Sequence, residues 1–68
     1  MTMKIKDLFI ELKLRGWQVT RITGSHHIFV HPQAVRPVPV AVHGKEIPNF
    51  IAKSILRQAE LALKKGKQ

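Results

Sequence analysis

The chain contains no cysteine, and only four of its 68 residues are acidic. Without cysteine, neither a disulfide framework nor a thiolate metal site can form. No apolar run in the sequence approaches the roughly 18 to 20 residues that a membrane-spanning helix needs. The first six residues show no apolar signal core behind their lysines. The sequence therefore argues against a disulfide-stapled, exported or membrane-spanning protein, and it favours the cytoplasm of a bacterium or an archaeon.

Basic residues, by contrast, are plentiful. Twelve lysines and arginines give the chain a net charge of +8. On so small a chain this favours a polyanionic partner, with nucleic acid ahead of an acidic protein or an anionic membrane surface. Three lysines lie in a basic tail at about 64–68, but the excess persists without them. The hydrophobic fraction of 44% is ordinary for a folded protein, so we expect one domain over residues 1–68.

The hydrophobic pattern predicts a helix followed by three strands. The helix, over about 7–15, has apolar residues at i, i+3, i+4 and i+7, namely Ile5, Leu8, Phe9 and Leu12. Alternating segments rich in β-formers predict strands at 17–22, 26–31 and 38–42. A short turn makes the first two strands an antiparallel hairpin, and Pro39 places the third strand at a sheet edge. Trp17 is expected in the core.

A second helix is predicted from Pro48 or Asn49 to about Leu63. Its expected apolar stripe consists of Ile51, Ile55, Ala59 and Ala62, widened by Ile47, Phe50 and Leu63. Two helices on one face of a three-stranded antiparallel sheet hide the apolar residues of all five elements and leave the other face open. The predicted fold is therefore a two-layer α+β domain with the order α-β-β-β-α.

Three of the four histidines lie in the stretch GSHHIFVHP, residues 24–32. The distance between His27 and His31 argues against a zinc ion bound by both. On a strand His27 and His31 point the same way but lie roughly 13 Å apart at about 3.3 Å per residue. Zinc ligands need Zn–N distances of about 2 Å. Because the acidic residues are also scattered along the chain, we expect no metal site and no cofactor.

A catalytic histidine suits a basic domain better. Histidine takes or gives a proton near neutral pH, so it can remove the proton of a ribose 2′-hydroxyl whose oxygen then attacks the adjacent phosphate. Nearby cations stabilise the charge that develops. The strand alternates one residue set with another, and each set contains histidine and apolar residues: His26, Ile28 and Val30 against His27, Phe29 and His31. Periodicity alone leaves open whether His26 or His27 is exposed.

The chain resembles the HicA toxins of type II toxin–antitoxin modules over nearly its whole length. Three motifs in order carry the resemblance: Gly24-Ser25-His26-x-x-Phe29-x-His31-Pro32, a valine-rich strand ending in His43, and Glu46-Ile47-Pro48 before a helix containing KSILRQA. Two departures from the family pattern are visible. Ala41 stands near a place where proline is frequent, and Glu60 replaces the glycine that usually ends the last helix. The second departure predicts a helix that extends toward Lys64.

This resemblance implies a fold like that of double-stranded-RNA-binding domains, in agreement with the predicted element order. It also implies an endoribonuclease toxin that cleaves mRNA without a metal and is neutralised by a HicB-type antitoxin. The match of Gly-Ser-His followed by an aromatic residue points to His26 as the general acid/base, with His27 as second choice, and makes Phe29 the buried residue. The implied partners are mRNA and the antitoxin, with no membrane.

Basic and turn residues complete the candidate site. Arg21, Lys45, Lys53 and Arg57 are candidates for contacts to RNA, although exposed cations also serve simply to keep a surface soluble. Gly24 and Ser25 either hold a phosphate close to backbone N–H groups or only form the turn. Two alternatives to a nuclease remain at this point: a non-catalytic RNA-binding domain of the same fold, and a basic surface that mainly docks an acidic protein.

Overall fold

The computed structural model describes residues 1–64. In chain order its elements are β1 (Thr2–Lys4), α1 (Ile5–Leu14), β2 (Gln18–Thr23), β3 (His26–Val30), β4 (Val38–Ala41), β5 (Glu46–Pro48) and α2 (Asn49–Lys64). The predicted α+β fold is confirmed, because the three predicted strands form one antiparallel sheet in the order β2-β3-β4. Of the predicted basic tail at 64–68, only the backbone of Lys64 lies within the described residues.

Helix α1 ends in a glycine-dependent cap. Gly16 has φ +95°, and its N–H donates to the carbonyl of Lys13 at 3.0 Å. The N–H of Trp17 donates to the carbonyl of Leu12, also at 3.0 Å. These two hydrogen bonds form a Schellman motif, which satisfies carbonyls that a helix C-terminus otherwise leaves unpaired. The cap turns the chain so that Trp17, which is fully buried, enters the core as predicted.

The core lies between the two helices and one face of the three-stranded sheet. Ring contacts place α1 on that face, since Phe9 packs edge-on against Phe29 with centroids 5.0 Å apart. Helix α2 contributes to the same cluster. The buried hydrophobic residues are Ile5, Leu8, Leu12, Trp17, Phe29, Val38, Val40, Ile47, Ala52, Ile55 and Ala59. Neither of the two helices described within residues 1–64 covers the opposite face of the sheet, and we call it the open face.

Strand β4 is an edge strand, as Pro39 predicted. It pairs with β3 alone in this sheet, and Pro39 lies across from Ile28 on the open face. Proline has no backbone N–H to donate to a neighbouring strand. At a sheet edge that donor would face solvent, so its absence costs no hydrogen bond of the ladder. Strand order therefore puts β3, with its histidines, in the centre of the sheet.

The predicted stripe of α2 is wrong at its beginning. Ile51 is 38% exposed and Phe50 is 74% exposed, whereas Ala52, Ile55 and Ala59 are buried. Ile51 is about 100° around the helix from Ala52, so only one of the two can face the sheet. The core face of α2 instead follows the i, i+3, i+4, i+7 spacing of Ala52, Ile55, Leu56 and Ala59, which leaves Ile51 at the edge of that face. The predicted extension of α2 to Lys64 is confirmed.

A second, two-stranded sheet was not predicted. Strands β1 and β5 pair antiparallel, with Met3 across from Ile47 and Lys4 across from Glu46. This pairing brings the N-terminal residues beside the entry to α2, where the N–H of Asn49 donates to the carbonyl of Met1 at 3.1 Å. Within residues 1–64, neither helix has the length and apolar character needed to cross a membrane.

Candidate active site

His26 begins β3 and points to the open face. The neighbouring position His27 and the position Phe29 face the helices, where Phe29 is fully buried, so strand alternation sends His26 the other way. Its direct cross-strand neighbours are Thr23 on β2 and Ala41 on β4. The His26 side chain is exposed, and its ring makes no hydrogen bond to any residue between 1 and 64. A polymer approaching the sheet can therefore reach both ring nitrogens.

Arg21 shares the open face with His26. The two-residue turn at Gly24 and Ser25 sets the pairing of the hairpin, and counting back along β2 puts Arg21 across from Ile28. Residues on one face that are diagonal across a strand pair lie about 7–8 Å apart at their Cα atoms, within reach of a long side chain. A bulge between Val19 and Arg21 then returns Val19 to the covered face, where it packs against the core.

The conformation of the hairpin turn requires a glycine at position 24. Gly24 has φ +59° and is the only one of the two turn residues with positive φ, which is the pattern of a type II′ turn. A Cβ at Gly24 would meet nothing within 4 Å, so backbone conformation rather than crowding requires glycine. The carbonyl of Ser25 accepts a hydrogen bond from the N–H of Val42 at 2.7 Å, which fastens the turn to the segment after β4.

His27 lies on the helix side of the sheet and is half-buried. Its ring packs against Phe9, with centroids 5.2 Å apart and planes tilted by 49°. Its Nδ1 is buried and has no hydrogen-bond partner within residues 1–64. The two adjacent histidines therefore occupy opposite faces, and only His26 belongs to the open one.

His31, just beyond β3, is held by hydrogen bonds at both ring nitrogens. Its Nδ1 accepts the N–H of Gln33 at 3.0 Å, which leaves the ring proton on Nε2. Nε2 is 3.0 Å from the carbonyl oxygen of Arg15 and donates to it. The ring also packs against Trp17, with centroids 5.3 Å apart. His31 thus joins the end of α1 to the end of β3, and we call this contact the histidine clasp.

The remaining predicted RNA contacts are spread over the molecule. Lys45 lies between β4 and β5 on the helix side, and its carbonyl accepts the N–H of Ile5 at 2.9 Å. Lys53 and Arg57 are exposed on α2, which covers the face opposite to His26. The structure therefore brings Arg21, the turn and His26 together at one end of the sheet. Lys45 lies apart from them between β4 and β5, and Lys53 and Arg57 lie on α2.

A sequence comparison assigns the chain to a family. The family described as HicA toxin of bacterial toxin–antitoxin systems matches residues 5–61 of the 68. The chain belongs to the HicA toxin family. It is therefore a toxin of a toxin–antitoxin system, and such a system supplies a cognate antitoxin as its partner. The match runs from the first residue of α1 into the last turns of α2, so the family's fold includes the whole three-stranded sheet. A search of curated proteins finds no match to this chain.

Two features of this HicA toxin's site were missed in the sequence. Thr23 lies directly across from His26 because β2 extends through Thr23, one residue beyond the predicted strand end at 22, and only Gly24 and Ser25 form the turn. The clasp role of His31 has no local signal, because its partners Arg15 and Gln33 come from separate segments. Among residues 1–64 no group of three or more histidine, cysteine, aspartate or glutamate side chains is placed to hold a metal ion.

Proposed function

We propose that this HicA toxin is an endoribonuclease that cleaves mRNA, with His26 as its general acid/base. The observation that supports this is the placement of His26. Its side chain is exposed on the open face of the central strand, and its ring makes no hydrogen bond within residues 1–64. Arg21 lies on the same face, and the chain as a whole carries a charge of +8. An RNA strand can reach the histidine without displacing either helix.

The chemistry needs only the RNA and this end of the sheet. The neutral imidazole of His26 removes the proton of a ribose 2′-hydroxyl, and the oxygen attacks the adjacent phosphorus. The bond from phosphorus to the 5′ oxygen breaks, and that oxygen takes a proton from the imidazolium or from solvent. The products are a 2′,3′-cyclic phosphate and a free 5′-hydroxyl. Arg21 is placed to stabilise the charge that builds on the phosphate oxygens.

The other predicted RNA contacts have separate roles in this proposal. Gly24 and Ser25 hold the substrate backbone beside His26, and Lys45, between β4 and β5, contacts the RNA backbone. Lys53 and Arg57 contribute a long-range attraction for RNA from α2. The cognate antitoxin is proposed to be of the HicB type and to act by covering the open face. The proposed reaction uses the imidazole of His26 as acid and base and calls for no metal ion.

Purified toxin should cut single-stranded RNA in the presence of EDTA and leave an RNA of the same sequence with 2′-O-methyl riboses intact. The cut ends should be cyclic phosphate and 5′-hydroxyl, which mass spectrometry of the fragments distinguishes from 3′-hydroxyl and 5′-phosphate. His26→Ala should slow cleavage by about 100-fold or more, the usual contribution of general acid–base catalysis. His43→Ala, at an exposed histidine beyond β4, serves as the matched control and should cleave normally.

Cleavage of the methylated RNA, or equal activity in His26→Ala, would reject this mechanism. If His27→Ala alone abolishes cleavage while remaining folded, the general acid/base is His27. If folded wild-type toxin binds RNA with a steep salt dependence but never cuts it, the chain is an RNA-binding domain of the same fold and not a nuclease. Circular dichroism of each variant separates loss of chemistry from loss of fold.

A further inference from the structure

An open cavity of about 550 Å³ lies beside the first turn of α1, on the side of the sheet away from His26. A volume of a few hundred Å³ is typical of sites for small ligands. Its lining combines three lysines, two ring side chains and a valine: Lys4, Lys6, Lys45, Phe9, His27 and Val42. We call it the lysine pocket. The mechanism proposed above uses none of its ring side chains.

The interior of the lysine pocket is apolar and held in shape by ring packing. Phe9 contacts His27 at 5.2 Å and Phe29 at 5.0 Å between centroids. Phe9 nevertheless remains only half-buried, because the segment after β4 stands off from it across the cavity. The pocket thus offers a fixed aromatic surface, of the kind on which nucleic-acid bases stack without sequence preference.

The mouth of the pocket is positively charged. Lys4, Lys6 and Lys45 are exposed, and the ion pairs found among residues 1–64 are both made by Arg15, at the other end of α1. Glu46 also lines the pocket and keeps its negative charge, although its carboxylate accepts a hydrogen bond from the hydroxyl of Thr2. The three lysines therefore outnumber the one carboxylate of the lining, and the mouth stays positive. Three lysine ammonium groups around an aromatic interior match the chemistry of a nucleotide, which has a flat base and an anionic phosphate.

The lysine pocket and the proposed catalytic histidine both lie beside the hairpin turn, on opposite sides of the sheet. His26 and His27 are consecutive but face opposite sides of the sheet, and the hydrogen bond from Val42 to Ser25 ties the pocket's rim to the turn. An RNA strand that passes around the turn therefore contacts both sites a few nucleotides apart. A shared route for one polymer favours RNA over an acidic protein as the occupant.

We propose that the lysine pocket binds one nucleotide of the RNA substrate, outside the scissile position, with its base against Phe9 and its phosphate among the lysines. This inference rests on RNA being the substrate, but it concerns binding and not the cleavage step. It makes Phe9 and the three lysines determinants of RNA affinity, and it assigns His27 to a binding site rather than to catalysis.

The test measures binding in the His26→Ala background, so that substrate is not consumed. The probe is a fluorescently labelled single-stranded RNA of mixed sequence, and its anisotropy is followed at several salt concentrations. The Lys6→Gln/Lys45→Gln pair removes the contact to the single phosphate in the pocket, so it should weaken binding by about tenfold at low salt. It should also make the plot of log K against log salt less steep by about 0.7, the contribution of one phosphate contact on a single strand. Lys13→Gln/Arg36→Gln removes the same charge from exposed positions elsewhere and should change neither value appreciably.

A third variant probes the base. Phe9→Leu retains apolar bulk but loses the flat ring, so it should weaken binding by about tenfold, the scale of one stacked base, while the salt slope stays the same. Equal effects of the pocket pair and the control pair would overturn the proposal, as would full affinity in Phe9→Leu. If the pocket pair loses affinity for polyglutamate while keeping its affinity for RNA, the pocket is a protein-docking site and the proposal fails.

Failure of the nuclease mechanism gives a different result. Wild-type toxin that never cleaves RNA, combined with the expected losses of affinity in the pocket variants, would reject catalysis at His26 and still support the lysine pocket. Normal cleavage by wild type, with no effect of the pocket variants on RNA affinity, would support the nuclease and reject the lysine pocket.

Discussion

The two ends of β3 use histidine in opposite ways. At the start of the strand His26 is exposed, and within residues 1–64 nothing bonds to its ring. Just past the end of the strand His31 is engaged at both nitrogens and packs against Trp17. Only a few residues separate a histidine whose ring is exposed from one whose ring nitrogens are both hydrogen-bonded within the fold.

The difference teaches what to require of a catalytic histidine. A ring whose Nδ1 accepts a backbone N–H and whose Nε2 donates to a carbonyl has to break a bond before it can bind or give a proton elsewhere. His31 therefore contributes to the fold, although it belongs to the same sequence motif as His26. The motif combines a proposed chemical group with a structural one, and spacing alone does not separate the two.

The largest effect on the clasp is expected from Gly16→Ala. A Cβ at Gly16 would lie 2.6 Å from Nε2 of His31, and alanine disfavours the φ of +95° found there. The substitution should lower the free energy of unfolding by about 3 kcal/mol, a sum of backbone strain and displacement of the ring. Urea denaturation followed by Trp17 fluorescence measures it.

Gly44→Ala is the matched control for that substitution. Gly44 has a similar φ of +86°, but a Cβ there would meet nothing within 4 Å. It should therefore lose only the strain contribution, about 1 kcal/mol. Equal losses at the two glycines would show that the His31 ring moves aside freely and that the clasp is weak.

A smaller loss is expected when the clasp histidine itself is removed. His31→Ala leaves the carbonyl of Arg15 and the N–H of Gln33 without their partner and takes a ring away from Trp17. The free energy of unfolding should fall by about 2 kcal/mol. RNA cleavage per folded molecule should stay within a factor of two of wild type, a ratio of about 0.4 kcal/mol, whereas His26→Ala should show the reverse pattern of preserved stability and lost cleavage. A large loss of cleavage in folded His31→Ala would mean that the two ends of β3 are coupled.

The smallest effect is expected at the ion pair beside the clasp. Arg15 lies 2.7 Å from Glu11 on its own helix and 3.9 Å from Glu60 on α2. Because Glu60 is 55% exposed, Glu60→Gln should change the free energy of unfolding by about 0.5 kcal/mol or less, with the change vanishing at high salt. A loss larger than 1.5 kcal/mol, about tenfold in the folding equilibrium, would show that this pair and not the clasp anchors the end of α1.

Local sequence patterns predicted most of the elements. Helical spacing located α1, alternation located the three strands, and Pro39 predicted that β4 is an edge strand. These predictions succeed because each depends on neighbours within a turn of helix or a few residues of strand, where backbone geometry alone dictates which side chains share a face.

Other features depended on packing between distant segments. The β1–β5 pairing joins residues more than forty positions apart in sequence. The three residues of β1 are too few to show the alternation that predicts a strand. The burial of Ala52 rather than Ile51 on α2 is a second such feature. The helix carries two overlapping apolar stripes, one that begins at Ile51 and one that begins at Ala52, and only contact with the core selects between them.

The sequence by itself determined that this small, cysteine-free and strongly basic chain forms two helices with a three-stranded antiparallel sheet between them in chain order, and its motifs identified the family. Only the tertiary structure decided which histidine of β3 is exposed. Both residue sets of the strand mix histidine with apolar side chains, so strand periodicity alone does not show which set faces the core. In the structure Phe9 packs on Phe29, which buries the set that contains His27 and Phe29 under α1. The other set, with His26, lies on the open face.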